Sequence, residues 1–137
     1  MASLLVPVSP GELLDKISIL RLKSDRLTDA AGRANVAREL AALEHVAATG
    51  VPDSPELDAL TAELADINSR LWHIEDALRS HEAAQDFGAA FVELARQVYL
   101  CNDRRAALKR QMNLLLSSDL LEEKEHQIVL PDTLPKV

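Results

Sequence analysis

The sequence predicts an all-α protein, a helical bundle built on one long antiparallel helix hairpin with two shorter helices ahead of it. Matched hydrophobic ladders, repeated helix-start signals and an aliphatic core composition lead to that class. One ladder is Leu57, Leu60, Leu64, Ile67, Leu71, Ile74, Leu78 and His81; the other is Phe91, Leu94, Val98, Cys101, Arg105, Leu108, Met112 and Leu115. Both advance in alternating steps of three and four, the heptad spacing of a helix seam. They mirror each other, so that Leu57 faces Leu115, Leu71 faces Cys101 and His81 faces Phe91. Two antiparallel helices meet in that way, because each step up one is matched by a step down the other.

The elements follow in order along a single domain over 1–137. Ser9-Pro10-Gly11-Glu12 combines a capping serine, a proline at the first helical position and a glutamate placed to close a capping box. A first helix therefore spans 10–27, with Leu13, Ile17, Leu20 and Leu27 inward and Leu14 widening the stripe. Ile19 and Leu22 fall off that stripe, so this helix is expected to be sandwiched between neighbours. A polar segment, 28–33, breaks or frays it. A second helix over 34–49 carries Val36, Leu40, Leu43 and Ala47, and Gly50 is a stop where left-handed geometry costs little. Ser54-Pro55 repeats the start signal for a helix over 55–84. Asp86 and Gly88 mark the reversal into a last helix over 87–117. Each long helix has about thirty residues and so a length of about 45 Å. Residues 119–125 read as one further helical turn. Residues 1–8 and 126–137 read as extended tails, whose apolar stretches at 3–6 and 127–130 either pair as a small ribbon joining the termini or stay flexible.

Composition excludes several classes. The chain is 47% apolar, yet Trp72, Tyr99, Phe87 and Phe91 are its only large aromatic rings, which leaves a core of Leu, Ile, Val and Ala. Fifteen Lys and Arg against 22 Asp and Glu give a net charge of -7. That balance disfavours nucleic acid, whose binding depends on neutralising phosphates, and so few rings make no base-stacking platform. The start MASLLVPVSP lacks a signal-peptide pattern and no run approaches about 18 apolar residues, so no membrane association and a cytoplasmic location are expected. Cys101 is the only cysteine and falls on the seam, where it reads as a small core residue.

No catalytic motif is present. Four glycines leave little room for a phosphate loop or nucleophile elbow. Glu123 and His126 form one E-x-x-H where a two-metal bundle needs two, and His45, His73 and His81 have no metal-ligand spacing, so no metal or cofactor is expected. Arg105 is the one permanent charge on the seam and must find a carboxylate, for which Asp15 and Asp66 are the candidates. Either it makes a structural ion pair or it belongs to a polar pocket. That pocket would gather Asp15, Lys16 and Arg21 from the first helix, Trp72, Glu75 and Asp76 from LWHIED, and Tyr99, Asn102, Asp103, Arg104 and Arg105 from YLCNDRR. The mirror places Trp72 near Leu100 and Tyr99 near His73. Lysine and arginine over an aromatic floor would suit a small anionic ligand. The basic run Arg104, Arg105, Lys109 and Arg110 lies toward the end of the last helix, where it complements the helix dipole.

The segments SPGELLDKISILRLKSDRL, NVARELAAL, LWHIEDALR, FVELARQVYLCNDRRAALKRQMN and SDLLEEKE resemble the recurring blocks of a bacterial family catalogued as a domain of unknown function. The resemblance runs from Ser9 to about Glu125, and GELLDKISIL and NDRRAALKR are its most specific parts. It implies a small bacterial cytoplasmic protein and puts Asp15, Lys16, Glu75, Asp76, Asn102, Asp103 and Arg104 in recurring blocks. The function expected from the residues is a non-enzymatic protein-interaction or dimerisation module acting as a homo-oligomer or on a protein partner. The alternative is a small-ligand-binding protein or enzyme, with its pocket between the first, third and fourth helices, like the helical chorismate mutases in architecture but not in motif order.

Overall fold

A computed structural model describes residues 3–117. They form four helices, α1 (Pro10–Arg26), α2 (Ala30–Gly50), α3 (Pro55–Ala83) and α4 (Ala89–Leu115), with no strand among the described residues. The chain is an all-α helical bundle, as its patterning predicts. Residues 3–9 carry no regular structure. The ribbon partner at 127–130, the extra turn at 119–125 and the pair Glu123 and His126 lie outside the described residues.

Local capping chemistry sets the helix boundaries. Ser9 Oγ accepts from the Glu12 amide at 3.2 Å, and Ser54 Oγ from the Leu57 amide at 3.1 Å, each relieving an amide that a helix start leaves unpaired. The expected capping box is only half formed, because the Glu12 carboxylate turns to Lys109 instead. α2 begins four residues earlier than its apolar pattern suggests. Asp29 caps it, accepting from the Gly32 amide at 2.7 Å, so the break after α1 shrinks to residues 27–29. Gly50 is not left-handed: it ends α2 within the helix, and Val51 turns extended ahead of Pro52, as a residue before proline prefers. The α3–α4 reversal likewise puts its left-handed residue at Gln85 (φ 53°), not at Gly88. Gln85 donates to the Glu82 carbonyl and Asp86 to the His81 carbonyl, the paired bonds of a Schellman ending.

α3 and α4 pack on each other over the five-residue turn that joins them. His81 meets Phe91 beside the turn with ring centroids 6.2 Å apart, and Glu63 meets Arg104 further down, so the two helices run antiparallel. α1 lies in the trough between them. Its Asp15 reaches Arg105 on α4 and Asn68 on α3, and its Arg26 reaches His73 on α3, so it runs parallel to α3 and antiparallel to α4. α2 turns back along α1 and, among the described residues, packs on no other helix. α1 is therefore enclosed on three sides, which is why Ile19 and Leu22 can be apolar off its main stripe.

The core follows the seam where α1 covers it, except that Leu60 is half-buried and Leu115, the expected partner of Leu57, is exposed at the end of α4. Leu57, Leu64, Ile67, Cys101, Leu108 and Met112 are buried to within a few per cent. Higher up, Leu71, Ile74, Leu78, Phe91, Leu94 and Val98 are half-buried, although their spacing is the same. Burying a leucine fully contributes about 2 kcal/mol, so the lower half of the hairpin dominates stability.

Two predictions test this account. Leu64→Ala, at a fully buried seam position, is expected to cost about 3 kcal/mol in chemical denaturation, whereas Leu78→Ala costs about 1 kcal/mol. Gln85→Gly relieves the left-handed strain and raises stability by about 0.5 to 1 kcal/mol, read in the same experiment.

Candidate functional site

At the centre of the α1–α3–α4 junction is the Asp15 carboxylate, 1% exposed. Arg105 grips it with two bonds, Nε to Oδ1 at 2.9 Å and Nη2 to Oδ2 at 2.5 Å. The Asn68 amide donates to Oδ1 at 3.0 Å and lies 3.2 Å from the Ser18 hydroxyl. Lys109 Nζ lies 3.9 Å from Asp15 Oδ2 and 2.7 Å from Glu12. One turn toward the start of α1, the Gly11 amide donates to Asn113 Oδ1 at 2.7 Å. α1 and α4 approach so closely there that a Cβ on Gly11 would lie 2.6 Å from the Lys109 carbonyl oxygen. This glycine serves helix contact, since its backbone is helical. Asn113 Nδ2 is buried and has no hydrogen-bond partner among the described residues.

Above this network, toward the turn, a cleft of about 570 Å³ opens between the end of α1 and the hairpin. Ile19, Leu22, Leu71 and Val98 supply its apolar wall together with the Trp72 ring; Glu75, Asp76, Arg79, Asn102 and one side of Arg105 supply its polar groups. The Arg26 guanidinium sits 5.8 Å from the Trp72 ring centroid.

Of the eleven residues the sequence nominates, five line the cleft: Trp72, Glu75, Asp76, Asn102 and Arg105. Asp15 lies behind it, holding Arg105. The others go elsewhere, because 100° per residue turns near neighbours onto different faces. Lys16 and Arg21 point to α2, where they pair with Glu39 and Glu44 at 3.3 and 3.5 Å; these exposed pairs contribute about 0 to 1 kcal/mol. Tyr99 is 60% exposed and borders a separate groove with Leu78, Arg79 and Phe91, while His73 bonds Arg26 at 3.3 Å. Arg104 faces the far side of the hairpin and pairs with Glu63; Asp66 shares that side, which is why it cannot serve Arg105. Asp103 is half-buried and not among the cleft residues. Sequence reasoning missed Asn68, Ser18, Arg79, Lys109 as a partner of Glu12, and the pairing of Gly11 with Asn113. A signal existed for Asn68: it is a polar residue beside Ile67, one step toward the face that meets α1.

The chemistry open to this site is limited. Asp15 is engaged by Arg105 and Asn68, and among the described residues the cleft lining holds no histidine, serine, threonine or cysteine to act beside its carboxylates. Among the described residues no group of three His, Cys, Asp or Glu is placed to hold a metal ion. Burial pushes the Cys101 thiol above its ordinary value of 9.0, with Arg70 opposing the shift and Asp66 adding to it.

Three outcomes are expected. Asp15→Ala removes the buried carboxylate that Arg105 holds with two bonds and costs about 3 to 5 kcal/mol in denaturation, whereas Asp15→Leu combined with Arg105→Met recovers most of that loss. Gly11→Ala costs about 1 to 3 kcal/mol by the same measurement, since two backbones must separate. Because the unfolded thiol ionises at lower pH than the folded one, stability falls as pH rises past the ordinary thiol value, and Cys101→Ala removes that slope in denaturation curves taken across alkaline pH.

No family model matches the chain, and no curated protein and no solved structure matches it.

Proposed function

We propose that this protein is a non-enzymatic helical interaction module that forms a homodimer through the upper half of its hairpin. The observation that carries this reading is the change in burial along one uninterrupted seam. Where α1 covers it, Leu64, Cys101, Leu108 and Met112 are 0% exposed; beyond α1, Leu78, Phe91 and Leu94 are only half-buried, with Val92 52% exposed beside them. Two helices alone cannot enclose a heptad seam, and pairing with a second hairpin is the usual way to complete one. A shallow groove of about 400 Å³ among Leu78, Phe91, Ala95, Val98 and Tyr99 gives a partner apolar side chains to fill. The assembled tips would form a short coiled-coil-like four-helix bundle.

The metabolite reading has less support. Arg105, its strongest anion-binding group, is already neutralised by Asp15, and Glu75 and Asp76 line the same cleft. The family resemblance also fits a scaffold: its two most specific blocks, GELLDKISIL and NDRRAALKR, are the segments that dock on each other through Asp15 and Arg105 and through Glu12 and Lys109. We propose that the protein belongs with that bacterial family and acts in the cytoplasm. No helix among the described residues is long and apolar enough to cross a membrane.

Sedimentation equilibrium is expected to give twice the 15.0 kDa chain mass at about 50 μM. Leu78→Lys with Val92→Lys is expected to weaken association at least about tenfold while the melting curve of the monomer stays cooperative. A monomer at about 100 μM, or a dimer unaffected by the double variant, defeats the reading.

A further inference from the structure

Because α2 rests on α1 and makes no contact with α3, an open groove of about 660 Å³ runs between α2 and α3 with α1 as its floor. Leu14 and Leu22 form the apolar floor, and Ala47, Ala48, Thr61 and Ala65 form low walls that admit another backbone closely. The rim is acidic. Asp25 from α1, Asp53 from the α2–α3 turn and Asp58 from α3 have no cation beside them among the described residues, and Glu44 holds Arg21, the one basic residue of the lining.

We propose that this groove receives an amphipathic helix of a partner protein, with an apolar i, i+4, i+7 stripe flanked by lysines or arginines. Shape selects a helix. Two helical walls made low by alanines stand over a helical floor and leave an elongated strip that suits a further helix packed ridge into groove. Charge selects a basic one. Three carboxylates on separate elements, none of them in an ion pair among the described residues, surround the apolar strip, and a chain of net charge -7 steers cations toward it. The groove lies where α3 begins and the dimerising tip where α3 ends, so the two surfaces are independent.

The test uses the full chain and a fluorescent peptide of about 18 residues, built of leucine at helical spacing with lysine elsewhere, followed by anisotropy. Binding with a Kd of about 1 to 50 μM that weakens as salt is raised is expected. Ala48→Trp with Ala65→Trp, both at exposed positions, fills the groove and is expected to weaken binding about tenfold or more. Asp25→Lys, Asp53→Lys and Asp58→Lys together are expected to weaken it about tenfold and to flatten its salt dependence, whereas Leu78→Lys with Val92→Lys leaves it unchanged. Helical circular dichroism and a cooperative melt establish that each variant is folded. The proposal is overturned if the peptide stays unbound at about 100 μM, if the tryptophan or lysine variants bind it as well as the unaltered chain, or if a leucine–glutamate peptide of the same pattern binds equally.

Discussion

A single buried carboxylate constrains the rest of this fold. Asp15 sits between three helices with almost no access to water, and an unpaired charge there would cost several kcal/mol. Only one placement of α1 brings it within reach of both Arg105 on α4 and Asn68 on α3. Sliding α1 by a turn would move the carboxylate about 5 Å along the trough and break each of those bonds at once. Apolar contacts tolerate such slips far better, since leucine meets leucine again one heptad on. The polar network therefore sets register, while the leucines around it supply most of the stabilising free energy.

The position of α1 then decides what each part of the hairpin is for. Because α1 starts beside Asn113 and ends near His73, it covers the lower seam and stops well short of the turn. Most of the seam below becomes core, although Leu60 is half-buried and Leu115 is exposed; above it remains a two-helix arm with its apolar seam half open. The same placement explains α2, which follows after three residues and has only the outer side of α1 to pack against. Its shallow attachment leaves the acidic groove. One docking geometry thus yields a well-packed base, a half-buried hairpin arm and an acidic groove.

The interplay of Gly11 and Asn113 reinforces this. A glycine at the second position of α1 lets the helix start press directly onto the α4 backbone, and the freed Gly11 amide finds the Asn113 side chain. Glu12 leaves its capping role for Lys109, exchanging a local bond for one that ties two helices together. These contacts gather at the same end as the fully buried seam. The hairpin tip has no equivalent: its Schellman ending and the Phe87–Phe91 and His81–Phe91 ring contacts are all local.

Much of the fold was legible in the sequence because it is written in periodicity and in caps, both local in sequence. The seam from Leu57 to Met112, the starts at Pro10 and Pro55 and the need of Arg105 for a carboxylate could all be read from spacing, whereas Leu115, also on the ladder, is exposed. The start of α2 was misplaced because Asp29 signals through one side-chain bond and not through an apolar stripe. The site was only partly legible. Spacing put Trp72, Glu75, Asp76, Asn102 and Arg105 near one another, but it could not tell that Lys16 and Arg21 turn to α2 or that Arg104 and Tyr99 look away from the cleft. By itself the sequence determined the helices and the pairing of the long ones, since those depend on residues a turn apart. Only tertiary structure decided which carboxylate Arg105 takes, where the seam ceases to be core and which faces stay open, because each depends on where α1 comes to rest on the hairpin, a contact spanning some ninety residues of chain.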